Sequence, residues 1–206
     1  MRALLLATTN RHKLDEYHAI FSTLPFILLS LADIQLDMDV EETGTTFLEN
    51  AELKARAYAQ ASGMLSLADD SGLEIDALGG APGVYSARFA GVDTSYEERF
   101  RLILEQLQGV PQDQRSARFH CVLSVAEPSG YCRSVDGTVE GVIADAPRGE
   151  HGFGYDPIFL IPALGKTTAE LPPEQKNLIS HRGRAARKAR ELLEHWPLSP
   201  SPQGIA

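Results

Sequence analysis

The stretch Met64-Leu65-Ser66-Leu67-Ala68-Asp69-Asp70-Ser71-Gly72-Leu73 decides how this chain is read. Its apolar lead-in, Met64 to Ala68, predicts a short buried strand. That strand is expected to end at two adjacent carboxylates, with a turn following at Ser71-Gly72. Carboxylates at a strand end suit a hard cation such as Mg²⁺. Asp, Ser and Gly are also ordinary turn formers. A turn alone does not need two neighbouring anions, which repel unless a cation offsets them. The pair therefore points to metal or acid–base chemistry. Downstream, Gly79-Gly80-Ala81-Pro82-Gly83 offers backbone free to make tight turns. Such a loop can cradle phosphate, but a structural turn is its simpler role.

Working outward, Ala3 to Ala7 reads as a strand, Thr8 to Lys13 as a polar loop, and Leu14 to Phe21 as a helix. Free N–H groups at a helix start, beside Arg11 and Lys13, are the physics of a phosphate site. An ordinary N-cap by Thr9 or Asn10 with solvated cations accounts for the residues equally well. The glycines of a Walker loop are missing. Phe26 to Leu31 predicts a second strand, and Asp33 to Glu42 an acidic loop. Thr46 and Glu49 fit a capping box opening a long helix. Phe47, Ala51, Lys54, Ala55 and Tyr58 share a rough face of it. Lys54 is either a functional cation or a side chain snorkelling to water. Glu41 and Glu42 are solvated loop acids unless the fold carries one of them to Asp70.

Glu97 to Leu107 predicts a helix ended by Gly109 and Pro111. Ala117 to Ala126 reads as a strand. Tyr131 to Ile143 reads as one or two more, with Gly137 and Gly141 as breaks or bulges. Strands running on after a helix imply a mixed sheet. In Gly149 to Phe159, Phe153 and Tyr155 could stack on a base, with Gly152 and Gly154 allowing close approach and Asp156 bonding a ring or sugar. A hairpin turn with buried aromatics is the alternative. Lys176, His181 and Arg182 fall at the start of a last helix running to about Glu194, as a cationic edge for phosphates or a base carbonyl. A helix N-terminus ordinarily prefers acids, so basic residues there point to an anion.

The 206 residues are enough for one sizeable core. A net charge of −9 argues against a general nucleic-acid binder. Cys121 and Cys132 are too few for a disulfide framework and point to reduced thiols and the cytoplasm. Met1 to Ala7 is too short an apolar run for a signal peptide. No apolar run approaches the length of a membrane span. Residues Pro197 to Gly204 read as a disordered tail.

In order along the chain stand Thr8-Thr9-Asn10-Arg11-His12-Lys13, Glu42-Thr43-Gly44 with Phe47-Leu48-Glu49-Asn50-Ala51 and Lys54-Ala55, and Asp69-Asp70-Ser71-Gly72-Leu73. They are followed by Gly79 to Gly83 with Tyr85-Ser86-Ala87-Arg88, Gly152-Phe153-Gly154-Tyr155-Asp156-Pro157, and Ser180-His181-Arg182. Each is modest alone, and the ordered set is highly specific. In this the chain resembles the non-canonical purine nucleoside triphosphate pyrophosphatase family, the Ham1-like inosine triphosphate pyrophosphatases or dITP/XTP diphosphatases. The resemblance implies an α/β fold, an elongated mixed β-sheet with helices forming two lobes around a central cleft, as one domain over 1–196 and in a homodimer. It implies Mg²⁺-dependent hydrolysis of dITP, ITP and XTP to the monophosphate and pyrophosphate. Carried over by position, Thr8, Thr9, Asn10, Arg11, His12 and Lys13 would hold the triphosphate. Glu42 and Asp70 would bind Mg²⁺, and Asp70 would also activate water, with Ser71 beside the substrate. Phe153, Gly154, Tyr155 and Asp156 would grip the base and sugar, and Lys176, His181 and Arg182 would complete the site. The competing expectations are a nucleotide-binding sensor without turnover, which has no need of Asp70, and a house-cleaning pyrophosphatase for modified pyrimidine nucleotides.

Overall fold

The structure is a computed structural model and describes residues 2–196. The expected disordered tail lies outside the described residues. A seven-stranded mixed sheet runs through the protein in the order β2-β1-β3-β4-β5-β6-β7. It comprises β1 (Arg2–Leu6), β2 (Phe26–Ser30), β3 (Leu65–Ile75), β4 (Ser116–Ala126), β5 (Cys132–Ile143), β6 (Phe159–Ile161) and β7 (Lys166–Thr167). β1 pairs parallel with β2 and β3, and every later pairing is antiparallel. The helices are α1 (Arg11–Phe21), α2 (Phe47–Ser62), α3 (Tyr96–Gln106), α4 (Pro173–Ile179) and α5 (His181–Glu194).

β3 organises the rest. At 11 residues it spans roughly 36 Å, twice the length of β1. Its first half packs Leu65 and Leu67 with Leu4, Leu6, Tyr17, Phe21 and the small residues Ala185, Ala186 and Ala189 of α5. Its second half packs Leu73 and Ile75 with Phe100 and Ile103 of α3 and with Phe159. On the opposite face of the first half, Ala68 joins Leu5, Ala55, Tyr58 and Ala59 under α2. The acid pair therefore lies in mid-strand, between two apolar cores. This corrects the expectation of a short strand that ends at Ala68. Asp69, Asp70, Ser71 and Gly72 pair in unbroken register with Leu123, Val122, Cys121 and His120. The apolar run stops at Ala68 because the strand there begins to line a cleft, with Asp69 on Lys13 and Asp70 on Asn50 of α2.

Two further expectations are corrected. β5 is one continuous strand, in register with β4 from Ser116↔Val142 to Ala126↔Cys132, without a bulge at either glycine. Its glycines serve close approach instead. A Cβ on Gly137 would stand 2.2 Å from the His181 carbonyl oxygen and 2.4 Å from the Ala185 nitrogen, so α5 crosses β5 backbone to backbone. The final helix is two: α4 ends at Ile179, and Ser180 caps α5 by accepting from the Gly183 N–H at 3.1 Å. Lys176 thus belongs to α4 and not to the start of the last helix. The capping box at α2 is present as expected, with Thr46 Oγ1 accepting from Glu49 N at 3.1 Å and the Glu49 carboxylate accepting from Thr46 N at 3.1 Å.

Candidate active site

β1 ends at Leu6 while β3 continues, so among the described residues one edge of β3 has no strand partner beyond Leu67. The turn after β1 folds across this gap, with the Ala7 N–H donating to Leu67 O at 2.8 Å. Asn10 then caps α1, accepting from Lys13 N at 3.3 Å. Two adjoining cavities open beside that edge, sharing Asn10, Lys13 and Ala87. One, of about 610 Å³, is lined by Thr8, Thr9, Asn10, Lys13, Glu41, Glu42, Lys54, Asp69 and Arg88 among others. The other, of about 130 Å³, is lined by Ser71, Phe119, Phe153, Gly154, Tyr155, Asp156, Lys176, His181 and Arg182, with Lys13 at the join.

Strand alternation points successive side chains to opposite faces. Asp69 and Asp70 therefore do not confront each other, and each meets its own cation. Asp69 accepts the Lys13 ammonium at 2.7 Å. Burial pushes its carboxyl up, but the charges of Lys13, Arg182 and Lys54 overcome that and hold it at about 2. Asp70 faces α2, where Asn50 Nδ2 donates to it at 3.0 Å and Lys54 Nζ stands 4.0 Å away. Here burial dominates, and the nearby Glu42 and Asp69 charges add to it. Lys54 and Asn50 compensate only in part, and the carboxyl sits at about 6.

Glu42 lies on the irregular segment between β2 and α2, far from Asp70 in sequence. The fully buried Asn50 joins them: its Oδ1 accepts from Gly44 N at 2.8 Å while its amide nitrogen holds Asp70. The Lys54 ammonium hydrogen-bonds Glu42 Oε1, so one cation lies between the Glu42 and Asp70 carboxylates. Lys54 is thus an ion-paired side chain inside the cleft and does not snorkel to water. Among the described residues no three His, Cys, Asp or Glu side chains cluster to hold a metal. Two hard carboxylates, already gathered about a cation, fit Mg²⁺, which is commonly held by one or two carboxylates plus substrate phosphates and water. Glu42 and Asp70 are the residues that would hold it.

The smaller cavity is built from α4, α5 and the loop before β6. Glu16 of α1 accepts from Lys176 Nζ at 3.0 Å and from Arg182 Nη1 at 2.6 Å. Lys176 also donates to Asp156 Oδ2 at 2.6 Å. Asp156 further accepts from Phe153 N at 2.8 Å and Thr168 Oγ1 at 2.7 Å. It is engaged with the protein on both oxygens, and its visible work is to hold Phe153 and Lys176 in place. The Phe153 ring stacks on His12, with centroids 5.1 Å apart, and has Lys176 Nζ and Arg182 Cζ within 5.0 Å of its centroid. Tyr155 is pinned by its hydroxyl donating to Ser86 O at 2.9 Å. Arg182 Nη2 reaches Ser71 Oγ at 3.4 Å.

His181 is not part of a cationic edge. It is buried and stacked on Phe119. Burial first, then the charges of Arg182, Lys176 and Lys13, push its pKa well below the ordinary value, so the ring is neutral. Its Nδ1 has no hydrogen-bond partner among the described residues, and the ring lines the cavity. Of the residues expected at the site, Arg11 lines neither cavity, and His12 reaches it only through Phe153. The Gly79–Gly83 loop lies at a separate cavity with Phe47, Leu48 and His120, where it makes a turn. Sequence reasoning missed Glu16 and Asn50. Glu16 carried a signal: it sits three residues after Lys13 on α1, on the same helical face.

Residues 4–192 match the model of the Ham1 family. A dITP/XTP pyrophosphatase of Geobacillus kaustophilus is 50% identical over 196 residues, covering 95% of each chain. One from Bacillus subtilis is 47% identical over 194 residues, 94% of this chain and 98% of that one. The structure of a HAM1 protein from Coxiella burnetii superposes with a TM-score of 0.87 at 43% identity, covering 94% of this chain and 99% of the other. A mid-strand acid pair flanked by two cavities, and likeness along nearly the whole length, lead to one assignment: this chain belongs to the Ham1 family.

Proposed function

We propose that the protein is a hydrolase that cleaves dITP, ITP and XTP to the nucleoside monophosphate and pyrophosphate, using Mg²⁺, as a cytoplasmic homodimer. Residues 1–196 would form its single two-lobed domain. The observation that carries this reading is the joining of two unlike cavities through Lys13: one aromatic and cationic, the other lined by carboxylates and cations. The first suits an oxopurine and the second a triphosphate with its metal. The names and near-complete coverage of the dITP/XTP pyrophosphatase relatives support it. Among the described residues no helix is long and apolar enough to cross a membrane.

When bound, Mg²⁺ would neutralise phosphate oxygens and lower the pKa of a coordinated water. Glu42 and Asp70 would hold it. Asp70, held by Asn50 and standing near Lys54, would also act as general base toward water. Thr8, Thr9, Asn10 and Lys13 would bind phosphate oxygens, with Asp69 orienting Lys13. Phe153 would stack on the base beside Ser71 and Gly154. His181 and Arg182 both line this cavity, and one of them would supply the donor to a 6-oxo group. Adenine places an amine there and leaves the donor unpaired, at a cost of about 1–3 kcal/mol.

Incubation with Mg²⁺ and, separately, ITP, XTP, dITP, GTP, ATP and dUTP tests the reading. Pyrophosphate released from ITP, XTP and dITP in preference to the others is expected. Orthophosphate as first product, preference for dUTP, or tight ITP binding without turnover would each refute it.

A further inference from the structure

The polar cavity holds a cation that the reading above does not use. Arg88 closes the 3-10 segment Gly83–Arg88, and that segment is fixed to the site. Ser86 Oγ accepts from Leu73 N at 2.9 Å and donates to Gly83 O at 2.7 Å. The segment lies so close over β3 that a Cβ on Gly72 would stand 2.4 Å from Gly83 O. Ala87 lines both cavities. Arg88 is therefore rooted at the seam between them.

Its side chain is less confined. About one-third exposed, it rests with its guanidinium 5.2 Å from the ring centroid of exposed Tyr85. Arg88 Nη1 donates to Glu42 Oε2 at 3.0 Å, while Lys54 occupies Oε1 of the same carboxylate. Both oxygens of Glu42 are thus taken by protein cations. A divalent ion on Glu42 would compete with both of these cations. Arg88 is the more exposed of the two, its side chain 32% against 14% for Lys54, and its fork geometry matches phosphate.

We propose that Arg88 is a transferable cation, paired with Glu42 in the nucleotide-free protein and passed to the substrate's triphosphate when a divalent ion takes that carboxylate. The inference rests on the metal site of the proposed function and adds a phosphate-binding residue to it. It makes Arg88 a competitor of the metal and a partner of the nucleotide, so its removal acts on the two in opposite directions. A merely structural residue would weaken both.

The test is calorimetric titration of the whole protein with Mn²⁺ alone, and then with an α,β-methylene analogue of ITP, for wild type, Glu42→Gln, Arg88→Met and Arg88→Lys. Arg88→Met should bind Mn²⁺ about threefold tighter or more. It should bind the analogue about 10- to 100-fold more weakly, the worth of one charge-assisted hydrogen bond. Arg88→Lys, which keeps the charge, should bind Mn²⁺ as wild type does. Mn²⁺ binding that depends on Glu42 but is unchanged or weakened in Arg88→Met would overturn the transfer and leave the metal site standing, as would undiminished affinity for the analogue. Wild type that takes no Mn²⁺, or Glu42→Gln that takes it equally well, would remove the metal site and the transfer together.

Discussion

Replacing Glu16 by Gln removes one negative charge and little volume from the wall of the smaller cavity. Glu16 is the acid shared by Lys176 and Arg182, at 3.0 and 2.6 Å, and both basic side chains are only 4% exposed. Lys176 keeps Asp156 at 2.6 Å. Among the described residues Arg182 keeps the 3.4 Å side-chain hydrogen bond to Ser71, and its Nε already lacks a partner. Breaking a buried pair by deleting one member typically costs about 3–5 kcal/mol, because the other charge stays buried. In a chain of this size that is a fall of roughly 6–20 °C in the unfolding midpoint. The acid dependence has a definite sign. Burial raises the Glu16 pKa, but Arg182 and Lys176 together lower it below 4.5. Its contribution is therefore complete above the unfolded value of 4.5 and fades as pH falls through the lower folded value. Calorimetry of wild type and Glu16→Gln at pH 7, and then at successively lower pH, should show the large difference narrowing on acidification. A midpoint shift under 2 °C at pH 7 would refute the reasoning. So would a difference that stays constant as the solution is made acidic.

Asp70→Asn should bind nucleotide but lose most turnover, and near-normal kcat would refute the assigned role. In EDTA the same variant should unfold at a higher temperature at pH 8 than wild type. Asp70 sits at about 6 against an ordinary 3.8, so the metal-free protein loses stability as pH rises from about 4 to about 6, up to about 3 kcal/mol. A lower midpoint for the variant would contradict this. Lys13→Ala should mainly raise KM for the triphosphate, since Lys13 lines both cavities, and unchanged KM would count against it. Gly137→Ala should destabilise by about 1–3 kcal/mol or more through backbone overpacking at 2.2 Å, read from denaturant midpoints. A neutral result would mean that α5 can lift from β5.

Much of the architecture is legible from local pattern. The α2 capping box, the helices of α1 and α3, and the strand alternation of β4 are set by neighbours in sequence. Long strands that cross from one core to another are harder to read, because the apolar signal breaks where the strand lines the cleft between them. That is why Asp69 and Asp70 look like a strand end when they are its middle. Gly137 and Gly141 look like breaks because strand glycines often are, whereas here the bare backbone admits α5 and Phe159. At the site, motif order leads to Lys13, Glu42, Asp70, Phe153 and Arg182. It cannot reveal Glu16 or Asn50, whose importance comes from contacts with residues 20 to 166 positions away. Nor can it give the depressed pKa of His181, which the fold produces by burying the ring among cations.

The central claim is that Glu42 and Asp70, brought together through Asn50 and Lys54, share one divalent ion facing a triphosphate. Anomalous diffraction from crystals grown with Mn²⁺ and a non-hydrolysable ITP analogue tests it directly. The account predicts one Mn²⁺ peak in coordination contact with a carboxylate oxygen of Glu42, one of Asp70 and the phosphate chain, with the base against Phe153. Mn²⁺ bound away from either carboxylate, or a base lying outside the cavity of Phe153 and His181, would contradict it.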